Sequence, residues 1–201
     1  MIAVDTPAQA PDLAAALVAG GLPAAEITFR TPAAADAIAA AAEAGTGILL
    51  GAGTVITPAQ VDQAAAAGAQ YIVSPGTSRA VVERAQEHGM AVLPGATTAT
   101  EIQAAVELGV DTVKFFPAGT SGGPAAIDAL SAPFGGVSFV PTGGVSLENL
   151  GDYLRLPSVR AVGGSWMVPT QRIAAGDYST IRTLAAEAAS AVARIRHSRR
   201  G

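Results

Sequence analysis

Five glycines, at positions 21, 45, 68, 89 and 109, each close an alanine-rich, helix-like stretch, and a short β-prone run follows each of them. The runs are Ala25-Glu26-Ile27-Thr28, Ile48-Leu49-Leu50, Tyr71-Ile72-Val73, Ala91-Val92-Leu93 and Thr112-Val113-Lys114-Phe115-Phe116. A glycine just past a helix end supplies the left-handed conformation that stops the helix. The next helices carry matching start signals: Thr31-Pro32 and Thr57-Pro58 read as an N-cap with a first-turn proline. Thr57 to Gln60 and Thr98 to Glu101 have capping-box spacing. Strand, helix and glycine therefore alternate every 20 to 24 residues. Mostly apolar strands separated by helices belong to a parallel sheet covered by helices. Ser138–Pro141 and Val159–Gly163 extend the series, and Ile2–Val4 begins it. Eight units in this order predict an α/β chain folded as one (β/α)8 barrel over residues 1–201. At 201 residues the chain lies near the lower end of that fold's range, roughly 200 to more than 400 residues, so its loops must be short. A doubly wound open sheet is the competing architecture, but no dinucleotide-type glycine-rich turn follows the first strand.

Composition narrows the chemistry. There are no cysteines, which removes disulfides, thiolate nucleophiles and cysteine metal sites together. His88 and His197 are the only imidazoles, and neither has a ligand partner nearby in sequence. A catalytic zinc takes two or three histidines or their cysteine replacements, so neither a metal nor any other cofactor is expected. The net charge is −4 with charges scattered, which argues against a nucleic-acid partner. The one basic cluster, Arg194, Arg196, Arg199 and Arg200, reads as a solvated tail, flexible from about residue 196. No apolar run is long enough to cross a bilayer and no signal-type start is present, so a soluble cytoplasmic protein is expected.

Reactive groups in a barrel gather at the C-terminal ends of the strands. Read in order, those ends offer Glu26 and Arg30, Gly51-Ala52-Gly53-Thr54, Ser74-Pro75-Gly76, Pro94-Gly95, Lys114, Thr142-Gly143-Gly144 and Gly163-Gly164-Ser165. Lys114 is the only lysine, beside eleven arginines, and it stands between apolar neighbours in Thr-Val-Lys-Phe-Phe-Pro. A strand-end lysine can simply snorkel to solvent. Yet a chain that uses arginine wherever positive charge suffices keeps a lysine for chemistry arginine cannot perform, and imine formation is the foremost case. Desolvation favours the neutral form of an amine, which can attack a carbonyl carbon. Strand alternation sends Glu26, Thr28 and Arg30 the same way. A carboxylate aimed into a barrel is costly unless paired or used, and the sequence leaves both readings open: an ion pair with Arg30, or catalysis. The Gly143-Gly144 and Gly164-Ser165 pairs follow the seventh and eighth strands, where barrels often bind phosphate on backbone N–H groups and helix N-termini. Ser121-Gly122-Gly123 carries less information and is readable as the turn into the next helix. No P-loop is present.

Glu26-Ile-Thr-Phe-Arg-Thr31, Gly51-Ala-Gly-Thr-Val55, Ser74-Pro-Gly76, Lys114-Phe-Phe-Pro-Ala118, Pro141-Thr-Gly-Gly144 and Gly163-Gly-Ser-Trp166 occur in order. Together they resemble the 2-keto-3-deoxy-6-phosphogluconate (KDPG) / 4-hydroxy-2-oxoglutarate (KHG) aldolase family, across nearly the whole chain. The resemblance implies a (β/α)8 barrel of the class I aldolase type, usually homotrimeric, acting on a small-molecule 2-keto acid phosphate. It implies Lys114 as the Schiff-base lysine and Glu26 as the general acid/base. It implies Arg30 and Thr54 at the substrate carboxylate, Phe116 and Pro75 on the pocket wall, and Thr142, Gly143, Gly144, Gly164 and Ser165 at the phosphate. Members usually carry a further N-terminal helix that helps close the bottom of the barrel. Here Ile2-Ala3-Val4 follows Met1 at once, so a barrel with a shortened N-terminus is expected, the change bearing on stability more than on chemistry. The expected reaction is metal-independent cleavage of KDPG to pyruvate and glyceraldehyde 3-phosphate. Cleavage of 2-keto-3-deoxy-6-phosphogalactonate or of 4-hydroxy-2-oxoglutarate is the nearest alternative, and a non-catalytic phosphosugar-binding barrel a remote one.

Overall fold

A computed structural model describes residues 1–198. A single 3-10 turn, Pro7–Gln9, leads into α1 (Ala10–Ala19), after which strands and helices alternate. They are β1 (Ala24–Thr28), α2 (Ala34–Glu43), β2 (Leu49–Gly53), α3 (Pro58–Ala66), β3 (Tyr71–Val73), α4 (Arg79–Glu87), β4 (Ala91–Leu93) and α5 (Ala99–Glu107). The second half runs β5 (Thr112–Phe115), α6 (Gly123–Ser131), β6 (Ser138–Pro141), α7 (Leu150–Leu154), α8 (Thr170–Ala174) and α9 (Tyr178–Ser198). Strands β1 to β4 pair in parallel in sequence order, β5 pairs with β6, and a bridge from Gly95 to Lys114 joins the two groups. The expected first and eighth strands are reduced to isolated bridges, Ile2 to Ile27 on one side and Val159 and Gly163 to Phe139 and Thr142 on the other. Beyond Ile2 the Val4 carbonyl is taken by the Thr31 hydroxyl at 2.9 Å, not by a ladder partner. The ring closes where the Met1 amino group donates to the Gly164 carbonyl at 3.0 Å. Six full strands and two bridged segments thus complete a (β/α)8 barrel.

The five spaced glycines stop their helices as expected, and Gly21, Gly45, Gly68, Gly89 and Gly109 all have positive φ. Thr98 and Glu101 form a reciprocal capping box on α5. Thr57 caps α3 by accepting from the Gln60 amide, but the Gln60 side chain accepts from Ile56, so the box is incomplete. Thr31 is not the cap of α2, which starts at Ala34 with Ala33 in the cap position, and its hydroxyl donates to the Val4 carbonyl. Gly122 is the left-handed cap of α6, so Ser121-Gly122-Gly123 is a turn into a helix. Within the basic tail expected from about residue 196, Arg196 and His197 sit in the last turn of α9, and Arg196 donates to the Arg160 carbonyl at 2.8 Å. Arg199 and Arg200 lie outside the described residues.

Alternation along the strands separates core from site. Ala25, Ile27, Leu50, Ala52 and Ile72 turn outward into one apolar cluster beneath α1 to α4. Val113, Phe115 and Phe139 turn outward into a second, where the two phenylalanine rings meet edge to face at 6.4 Å. The intervening residues, Glu26, Thr28, Gly51, Gly53, Tyr71 and Lys114, therefore face the barrel interior. Phe139→Ala removes a fully buried ring and is expected to cost about 3–5 kcal/mol. Urea denaturation measures it, and a loss below about 1 kcal/mol would contradict this packing.

Candidate active site

Lys114 does not snorkel. Its side chain is 5 % exposed and Nζ lies 3.4 Å from Glu26 Oε1, itself on a side chain 13 % exposed. Strands β1 and β5 lie well apart in the ring, so the fold brings two residues 88 positions apart into one ion pair inside the barrel. Glu26 therefore pairs with the lysine and not with Arg30. The amine also has the Met1 thioether at 3.6 Å and the Phe116 ring centroid at 5.1 Å. The amine thus has an apolar wall on one side and, on the other, a single carboxylate able to exchange a proton with it.

Arg30 stands exposed at the end of β1. Its Nε donates to Thr28 Oγ1 at 3.0 Å, and Thr28 Oγ1 donates in turn to the Ile2 carbonyl at 2.9 Å. Both Nη groups of Arg30 lack a protein acceptor among the described residues, leaving a planar fork that matches a carboxylate. Thr54 follows β2 with φ +56° and is the one non-glycine residue in the left-handed region among those described. That conformation costs a β-branched residue about 1–3 kcal/mol and is kept where a site needs it. Neither its amide nor its hydroxyl donates to a protein acceptor among the described residues.

The loops that follow β6 and Gly163 offer backbone. Gly143 and Gly144 have φ +85° and +81°. The carbonyls of this loop and the next are all engaged: Gly143 by the Gly119 amide at 2.9 Å, Gly144 by Asn149 Nδ2 at 2.8 Å, Gly164 by the Met1 amino group and Ser165 by the Val168 amide. The N–H groups of Gly143, Gly144, Gly164 and Ser165 donate to no protein acceptor among the described residues. Four free donors on two adjacent loops form a concavity suited to an anion. The following helices, α7 and α8, begin several residues beyond the glycine pairs and have five residues each. Thr142 is 2 % exposed and faces the barrel interior below the Gly143-Gly144 turn, its hydroxyl 3.3 Å from the Val140 carbonyl.

Phe116 stands between the lysine and the Gly143 loop. Its ring neighbours Lys114, and a Cβ on Gly143 would lie 3.1 Å from its edge. Pro75 is exposed on the loop after β3, and its carbonyl occupies the space of a Cβ on Gly95, the residue bridged to Lys114. Ser74 and Thr77 brace this loop through the carbonyls of Gly76 and Gly95. A cavity of about 740 Å³ enters from the N-terminal ends of the strands and reaches Glu26, Tyr71 and Thr142. Thr28, Tyr71 and Asn149 join the site without having been expected there. Thr28 was visible in the alternation Glu26, Thr28, Arg30; Asn149 braces its own loop through Ser146 and Gly144, whereas Tyr71 acts through a contact across 46 residues that no local pattern announces. His88 is taken up by Asp62 at 2.7 Å on the outer surface, and no cluster of three metal-ligating side chains assembles among the described residues.

Comparison with known proteins identifies the family. The family model for KDPG and KHG aldolase matches residues 1–184. The 2-dehydro-3-deoxy-phosphogluconate aldolase of Treponema pallidum is 53% identical over 172 residues, covering 86% of this chain and 82% of the relative. A crystal structure of KDPG aldolase from Legionella pneumophila, with pyruvate captured at low pH as a covalent carbinolamine intermediate, superimposes with a TM-score of 0.89 at 39% identity, covering 92% of this chain and 90% of that one. The 2-keto-3-deoxy-6-phosphogluconate aldolase of Zymomonas mobilis, crystallised with 3-phosphoglycerate, gives 0.87 at 40% identity, covering 94% and 88%. With its fold, its six motifs and its buried lysine accounted for, the chain belongs to the KDPG and KHG aldolase family.

Proposed function

We propose that this protein is a class I aldolase that cleaves KDPG to pyruvate and glyceraldehyde 3-phosphate without a metal, holding the substrate as an imine on Lys114. The observation that carries the reading is the lone lysine, 5 % exposed and 3.4 Å from a carboxylate in the barrel interior. The Lys114 amine adds to the C2 ketone, and the carbinolamine loses water to give an iminium. Glu26, directly or through a water, takes the proton of the C4 hydroxyl as the C3–C4 bond breaks. The bonding pair moves into the iminium to give an enamine, and the aldehyde departs. The enamine then takes a proton at C3, and water releases pyruvate and the free lysine. The carbinolamine captured with pyruvate in the Legionella relative supports the first step.

In this reading the open fork of Arg30 and the free donors of Thr54 receive the carboxylate. The four free amides of Gly143, Gly144, Gly164 and Ser165 receive the phosphate, with Thr142 beneath them and Phe116 and Pro75 walling the path between. A homotrimer in the cytoplasm completes the proposal: the family resemblance argues for the trimer, and a phosphorylated metabolite, retained inside cells by its charge, argues for the compartment. Steady-state kinetics on purified substrates test the phosphate end. KDPG is expected to exceed unphosphorylated 4-hydroxy-2-oxoglutarate in kcat/KM by at least about tenfold, since charge-assisted bonds to even two amides are worth more than that. Equal efficiencies would remove the phosphate from the proposal.

A further inference from the structure

We infer that Gly53 is the positioning residue for Glu26, the bare backbone of β2 being the seat on which the carboxylate rests; this builds on the reading of Glu26 as the proton-transfer group. By register Glu26 stands opposite Gly51, and Thr28 opposite Gly53. The carboxylate nevertheless lies over Gly53, one level toward the C-terminal end of the barrel. A Cβ on Gly53 would fall 2.0 Å from Glu26 Oε1, 2.5 Å from its Cγ and 2.6 Å from its Cδ. No other group comes as close to that position.

Tyr71 explains the displacement. It is the register partner of Gly51 on the far side, and its ring atoms lie 2.1 to 2.6 Å from where a Gly51 Cβ would be. The ring therefore crosses β2 at that level, and its hydroxyl donates to the Ala25 carbonyl on β1 at 3.0 Å. Burial, and then the Glu26 charge, push the phenol well above its ordinary range, so it remains a neutral donor. With the level of Gly51 filled, Glu26 leans onto Gly53, and from there Oε1 reaches Lys114 Nζ. Gly51 and Gly53 of the Gly-Ala-Gly stretch thus make two adjacent slots, the lower for a phenol that blocks and the upper for the carboxylate that it displaces.

Gly53→Ala tests the seat. The atoms that must yield to the new methyl are the flexible end of Glu26, not backbone, so the barrel keeps its fold and Lys114 still forms an imine with pyruvate, read as a borohydride-trapped adduct. Exchange of the pyruvate methyl protons for deuterium, which reads proton transfer at the enamine carbon, is expected to fall roughly 10- to 100-fold. In a Glu26→Gln background the same change is expected to add nothing. Tyr71→Leu frees the lower slot and is expected to lower exchange in the same sense with trapping retained; it decides the matter if Gly53→Ala does not fold. Exchange intact in Glu26→Gln would overturn the proton-transfer reading of Glu26 itself. Exchange lost in Glu26→Gln but within twofold of the parent in whichever of Gly53→Ala and Tyr71→Leu folds would overturn the seat alone.

Discussion

Lys114→Arg is expected to lose at least about 10⁴-fold in kcat/KM, the order of loss that follows removal of a covalent nucleophile. Arginine keeps the positive charge beside Glu26 but cannot supply a neutral amine, because a guanidinium does not deprotonate in a protein and its nitrogen lone pairs are delocalised. The ion pair could survive this substitution and the imine could not, so the variant separates electrostatics from covalent chemistry. The site is nearly closed, with the lysine side chain 5 % exposed, and a bulkier head strains it. Lys114→Met, of similar reach and without charge, is the companion. Circular dichroism should show both folded and the assay both inactive. Activity within tenfold of the parent in either would mean that Lys114 is a structural cation.

Glu26→Gln is expected to lower kcat by about 10²–10⁴-fold, the range for removal of a general acid/base, while imine formation with pyruvate continues. Glutamine preserves the length and the seat on Gly53 but cannot take a proton from the C4 hydroxyl. Two stability effects oppose each other. The change removes a charge from a site only 13 % exposed, which relieves a desolvation cost, and it leaves the Lys114 ammonium without its partner, which is destabilising. A kcat loss with KM little changed would place the effect in the chemical steps; a rise in KM with kcat intact would make Glu26 a binding group.

The repeat was readable because its punctuation is local. A glycine that must adopt positive φ after each helix leaves a mark in the chain whatever the tertiary structure, and all five did so. Lys114 and Glu26 were readable because each is chemically out of place, a lone lysine among arginines and a carboxylate on an inward-facing strand. What failed was the assignment of partners. The Thr31 hydroxyl, a plausible cap, goes to Val4 across a gap of 27 residues. Glu26 was weighed against Arg30 four residues away, and its partner is Lys114 on a distant strand. The first and eighth strands were overestimated because β propensity says nothing of how many rungs a neighbour offers. The glycine pairs proposed for the phosphate stood out in the sequence, but not the way their loops are held: the structure presents unshared N–H groups on two loops whose carbonyls are engaged elsewhere, and the engagement of the Gly143 carbonyl by Gly119, 24 residues away, is invisible until the loops are folded.

Mass spectrometry of the intact protein and its peptides after incubation with pyruvate and borohydride addresses the central claim directly. One reduced pyruvyl adduct per chain, mapped to the peptide containing Lys114 and missing from Lys114→Arg, is the predicted result. An unmodified Lys114 in folded protein, or an adduct that persists in Lys114→Arg, would contradict the imine mechanism.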